Sequence, residues 1–183
     1  MPHPVIIADY DPQWPILYEK EKRRILEAIG HKAEDKVEAV EHIGSTAVPG
    51  LGAKPIIDII VGVHQSIDAE ECVPLLRDIG YKDVTPQPEE PDWYYCLGKG
   101  PNSATYHLHL VKFMSDFWER HLLFRDFLRA HPEIARQYYE LKKRLAAKYG
   151  SDRMGYIDAK TSFIESVVTQ ARQSLSPSQH LFG

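Results

Sequence analysis

The stretch Pro55–Val63, PIIDIIVGV, constrains the fold of this chain more than any other. It is an apolar run without polar alternation, so it reads as a central strand buried on both faces of a sheet. Such a strand needs covering layers, and 183 residues are enough to supply them in one domain with a sizeable core. Its one polar member, Asp58, is then a carboxylate where a carboxylate is costly.

The rest of the chain supplies those layers. Asp11-Pro12 opens a helix whose apolar stripe is Trp14, Leu17, Ile25, Leu26 and Ile29, with Gly30 as its stop. Residues 37–43, VEAVEHI, alternate as a half-buried strand. After the central run, Ser66 caps a helix ending at Ile79-Gly80, and YKDV is a short strand. A proline-rich acidic loop, 85–91, precedes DWYYCLG and SATYHLHLV, two strand-like runs that read as a hairpin. From Ser115 the chain is helical, with a break at His131-Pro132 and a new start at Ser151-Asp152. The expected fold is α+β: a mixed sheet of about five strands, helices packed on one side, and a helical C-terminal half. Residues 1–174 read as a single domain and 175–183 as a flexible tail.

Composition excludes several function classes. With a formal net charge of −4 and 26% charged residues, the chain lacks the basic footprint of a general nucleic-acid binder. No apolar run is long enough to span a bilayer, and MPHPVIIADYDP lacks the regions of a signal peptide. Cys72 and Cys96 are isolated thiols, which suits a reducing compartment. A cytoplasmic protein without a membrane partner is expected.

The chemistry concentrates around HIGSTAVPGLGAKPIID, residues 42–58. Gly44 removes a side chain where backbone amides can approach a ligand, and Ser45 and Thr46 add hydroxyls. A corner of this kind holds phosphate oxygens. Lys54 adds a point charge, and Asp58 points at the same pocket. The competing account is that Ser45 and Thr46 cap turns while Asp58 satisfies a backbone amide.

His107 and His109 share one strand face. With His42 and Asp58 they form a candidate metal set, since imidazole and carboxylate suit zinc, manganese or iron; hydrogen bonding to neighbours or substrate is the plainer alternative. On the last helix, Tyr156 and Lys160 fall on the apolar stripe, which suits either anion binding or a snorkelling lysine. Arg120, Arg125 and Arg129 fit a solvated face with structural ion pairs, and Arg125 is the best placed of them for an anion. Trp93, Tyr94 and Tyr95 fit stacking on a ring or ordinary packing.

These residues resemble a known family. EHIGSTAVPGLGAKPIIDIIVGV, YHLHLV, FRDFLRAHPEIARQYYELK, YIDAKTSFI and the earlier YDPQWPILYEKE look like the GrpB family over about Tyr10 to Ile164. The resemblance implies a fold similar to the polymerase-β-like nucleotidyltransferases. In that superfamily a Gly-Ser corner holds the triphosphate, and a strand about a dozen residues later carries two metal-binding carboxylates two positions apart. Gly44-Ser45 and Asp58 match; the second carboxylate position is Ile60, and the later strand offers His107 and His109 where a third carboxylate is expected.

The expectation that follows is a metal-dependent transferase acting on a nucleotide or other phosphorylated donor and a small-molecule acceptor. Asp58, His107 and His109 would be catalytic. Gly44, Ser45, Thr46, Lys54, Arg125, Tyr156 and Lys160 would hold phosphate or nucleotide. A divalent ion, magnesium or manganese with zinc as the alternative, would lie on Asp58, His42, His107 and His109. A nucleotide- or phosphometabolite-binding protein without catalysis, or an enzyme using His and Asp for another reaction, are the alternatives.

Overall fold

A computed structural model of the chain describes residues 5–84, 90–101 and 105–175. Most of the acidic loop, residues 85–89, and the tail from 176 onward lie outside the described residues. The elements run α1 (Gln13–Ala33), β1 (Val37–Ile43), β2 (Ile57–Val63), α2 (Ser66–Asp78), β3 (Lys82–Asp83), β4 (Trp93–Lys99), β5 (Tyr106–Lys112), α3 (Asp116–Ala130), α4 (Pro132–Tyr149) and α5 (Arg153–Leu175). The five strands form one mixed sheet in the order β1-β2-β5-β4-β3. β2 lies at its heart, antiparallel to β1 and parallel to β5. The fold is α+β with a helical C-terminal half.

Local chemistry explains the boundaries. Asp11 accepts the Gln13 N–H at 2.8 Å and starts α1. Gly30 breaks the helical path with φ 44° and ψ −152°, although further helical residues follow it to Ala33. Leu26 leaves the expected stripe and is 44% exposed, whereas Ile25 and Ile29 are buried. Ser115 Oγ accepts from Trp118 N–H to open α3, and Pro132 takes the first turn of α4.

The parity of β2 sorts the molecule into two faces. Ile57, Ile59, Val61 and Val63 pack with Trp14, Tyr18, Ile25 and Ile29 of α1 and Cys72, Val73 and Leu76 of α2. On the other face Ile60 joins Ile43, Val111 and the α3 residues Phe117 and Trp118. Helices α1 and α2 therefore share one side, as expected, while α3 closes part of the other. A third core, with Val48 and Leu51 against Phe124, Leu128, Ala135, Tyr138, Val167 and Val168, ties the loop after β1 to α3, α4 and α5. This third core brings the helical half to the Gly-Ser-Thr corner. No helix among the described residues is long and apolar enough to cross a membrane.

Ile60 stands where a second carboxylate would lie, and its side chain is fully buried. Ile60→Ala should cost about 2–5 kcal/mol, because the surrounding packing closes only partly over the void. Urea unfolding should show a lower midpoint with an unchanged slope.

Candidate functional site

β1 ends at Ile43, which lies opposite Asp58 on β2. The chain then turns at Gly44, with φ 72°, into a short 3-10 turn over Ser45–Ala47. A Cβ at Gly44 would lie 2.6 Å from Asp58 Oδ2, so the carboxylate rests directly against the glycine backbone. Within the turn Ala47 N–H donates to Gly44 C=O at 3.2 Å and Val48 N–H to Ser45 C=O at 3.2 Å. The amides that open a helical turn have no partner inside it, and they are the donors a corner offers to an anion.

A cavity of about 300 Å³ opens beside this corner. Ser45, Thr46, Lys54, Asp58, His107, Tyr156 and Lys160 line it, together with Lys142. The residues come from the corner, the two central strands and the last two helices. Lys54 and Lys160 each place Nζ 4.5 Å from the centre of the Tyr156 ring, which is itself buried. Lys142, on α4, donates to Gly52 C=O and lies 4.8 Å from the Tyr138 ring. The hydroxyl of Tyr138 in turn reaches Ser45.

The electrostatics of the cavity are one-sided. Burial and the neighbouring Lys160 push Lys142 down to about 7. Burial and Lys54 push Lys160 down to about 8, against the pull of Asp58. Lys54 is lowered by burial and by Arg153.

Among the described residues Asp58 is the one carboxylate lining the cavity. Burial opposes its charge, yet its pKa lies far below the usual carboxylate range because His107 and His109 stand beside it. His107 Nδ1 is 3.6 Å and His109 Nε2 3.9 Å from Asp58 Oδ1. Parallel pairing sets Asp58 level with His107, and one step deeper Ile60 lies level with His109. Among the described residues no three His, Cys, Asp or Glu side chains are grouped at metal-ligand geometry.

Three expected site residues have other work. His42 pairs with Ile59, so it faces the side of the sheet opposite Asp58. It stacks on Tyr18 at 4.6 Å, and burial pushes its pKa down to about 4. Thr46 Oγ1 donates to Ile56 C=O at 3.1 Å, which leaves that oxygen to accept from His42 Nε2–H at 3.0 Å. Thr46 therefore lines the cavity with its hydroxyl proton already committed, and His42 pins it from behind.

Arg125 does not reach the cavity. Its guanidinium binds Glu41 at 2.6 Å, Asp126 and the carbonyl of His42 at 3.0 Å, as a structural ion pair bracing α3 against β1. Arg129 braces the corner similarly through Ala47 C=O at 2.9 Å. Lys142 and Tyr138 were not expected. The signal for them lies on α4, where Ala135, Tyr138 and Lys142 fall at helical spacing on the buried stripe.

Comparison with known proteins bears on the scaffold. The GrpB protein family model matches residues 4–170. A UPF0157 protein of Halalkalibacterium halodurans is 39% identical over 168 residues, 91% of this chain and 82% of that protein. The crystal structure of conserved protein GrpB from Enterococcus faecalis superposes with TM-score 0.77 at 32% identity, covering 92% of this chain and 98% of that one. The Cid1 poly(U) polymerase, solved with MgGTP bound, is similar with TM-score 0.53 at 15% identity, over 77% of this chain and 44% of that one. That last likeness is one of fold.

Gly44 and Gly50 both have positive φ, 72° and 78°, but a Cβ at Gly50 meets nothing within 4 Å. Gly50→Ala should cost about 1 kcal/mol, from backbone strain alone. Gly44→Ala should cost more, because its methyl group also drives Asp58 out of place. A comparison of the two chemical midpoints checks this, with the larger loss at Gly44.

Proposed function

The chain belongs to the GrpB family, and from the charge of its cavity we propose that it binds a phosphorylated donor of the nucleoside-phosphate class and transfers a phosphorus-containing group to a small acceptor. One observation carries this reading: three lysines converge on a cavity whose lining holds a single carboxylate. A bound phosphate relieves the mutual repulsion of Lys54, Lys142 and Lys160. The Gly44-Ser45 amides and the Ser45 hydroxyl complete the cradle. The likeness in fold to a MgGTP-bound polymerase supports the nucleotide class.

In the transfer step the acceptor hydroxyl attacks phosphorus, the bond to the leaving oxygen breaks, and the released phosphate or pyrophosphate is held by the lysines. The hydroxyl proton passes to a side chain at the Asp58 end of the cavity. Asp58 is a poor base, since its neighbours hold it so strongly ionised. His107 is the better acceptor, and Asp58 orients it.

The donor set fits a divalent ion only in part. Asp58 would hold an ion arriving with the donor phosphates, and such an ion would neutralise charge on them. Ile60 removes the second carboxylate that a two-ion site uses. That same substitution favours a second reading, a nucleotide- or phosphometabolite-binding protein without turnover.

A thermal-shift screen of nucleoside triphosphates, with and without Mg²⁺ or Mn²⁺, tests the reading by mass action. Wild type should melt higher with at least one nucleotide, and Lys160→Ala should lose the shift. Release of pyrophosphate or phosphate with a candidate acceptor separates transfer from binding alone.

The affinity should also depend on pH. Anions favour the ammonium forms, which Lys142 and Lys160 lose as pH rises through about 7 and about 8. Pyrophosphate should therefore bind most tightly below about 7 and weaken above it. Titration calorimetry in buffers of different ionisation enthalpy should register proton uptake on binding between those values.

A further inference from the structure

Beneath α3, two buried nitrogen atoms have no hydrogen-bond partner among the described residues: Trp93 Nε1 and His109 Nδ1. The rings that carry them are neighbours, with centroids 5.3 Å apart and planes tilted by 52°. The surrounding wall is apolar. Phe117 lies 4.8 Å from Trp93 and 6.3 Å from His109, ring to ring, and Ile60 and Val111 pack beside it. Leaving one buried polar atom unmatched is costly, and leaving two side by side is more so.

The two orphans are complementary. An indole N–H can only donate, and an imidazole Nδ1 accepts only when the ring proton is on Nε2. The far side of the same imidazole makes the same demand. Its Nε2 faces Asp58 Oδ1 at 3.9 Å, and an ionised carboxylate only accepts. The Nδ1 of nearby His121 is engaged elsewhere, turned to the Phe117 carbonyl at 2.7 Å.

We propose that one buried water accepts from Trp93 Nε1–H and donates to His109 Nδ1, fixing His109 as the Nε2–H tautomer so that it serves as the positioning residue of Asp58. The tautomer stands on this geometry alone; its value to transfer rests on the function proposed above. The arrangement has the logic of a base oriented by a second partner: Trp93 sets the ring, and the ring sets the carboxylate. His107, which faces the same Asp58 oxygen at 3.6 Å, lines the cavity while His109 does not, so the two histidines divide the work. His109 then presents a proton rather than a lone pair toward Asp58, and it leaves the metal-ligand set.

Nitrogen-15 NMR of the imidazole rings in the full chain, without ligand and at a pH where His109 is neutral, tests the proposal. Wild type should show His109 as a single Nε2–H form, with the Trp93 indole proton protected from solvent exchange. Trp93→Phe keeps a ring in place but removes the donor, and it should raise the Nδ1–H form to a comparable population. An Nδ1–H form in wild type, or a Trp93 indole proton that exchanges freely, overturns the proposal. So does a folded Trp93→Phe protein that keeps the single tautomer. The wild-type measurements decide the matter if Trp93→Phe does not fold. None of them needs a nucleotide, so they stand apart from the fate of the proposed transfer reaction.

Discussion

A charged carboxylate set in an otherwise apolar central strand has to be compensated, and much of this molecule is organised around doing so at Asp58. The antiparallel register of β1 places Ile43 opposite Asp58, which makes Gly44 the next residue to meet the carboxylate. The parallel register of β5 brings His107 level with it. Glycine is needed at the corner because any side chain there would occupy the space of Oδ2. The result is an ionised group held between a bare backbone and two imidazoles. From behind, His42, Arg125 and Arg129 hold the corner through Thr46, the His42 carbonyl and the Ala47 carbonyl.

The cations reach this carboxylate by a different route. Lys54 belongs to the loop before β2, while Lys142 and Lys160 arrive from helices far along the chain. What delivers them is the core shared by Val48, Leu51 and the three C-terminal helices. The apolar packing of that core keeps the ammonium groups closer than their charges favour. On the function proposed above, a bound dianion relieves that repulsion.

Several parts of this arrangement could be read in the sequence. The central strand and the shared face of His107 and His109 follow from a period of two, and the corner follows from glycine and turn chemistry. Tyr156 and Lys160 were legible because they sit four apart on an apolar stripe. Lys142 was not, because a lysine in a charged helix reads as exposed until its spacing from Ala135 and Tyr138 is counted. His42 shows the opposite limit. A shift of one residue in parity decides which face a strand residue occupies, and the β1–β2 register supplied that parity. The distant partners of Arg125, Glu41 and the His42 carbonyl, depend on how α3 crosses β1, which no local pattern encodes.

The account turns on whether the lysine-lined cavity is a phosphate site. The most direct measurement is a crystal structure of the protein soaked with a nucleoside triphosphate. The account predicts phosphate density between the Ser45 side of the corner and the ammonium groups of Lys54, Lys142 and Lys160, with Asp58 at the Gly44 end. Phosphate density elsewhere on the molecule, with the cavity filled only by water at saturating nucleotide, would contradict it.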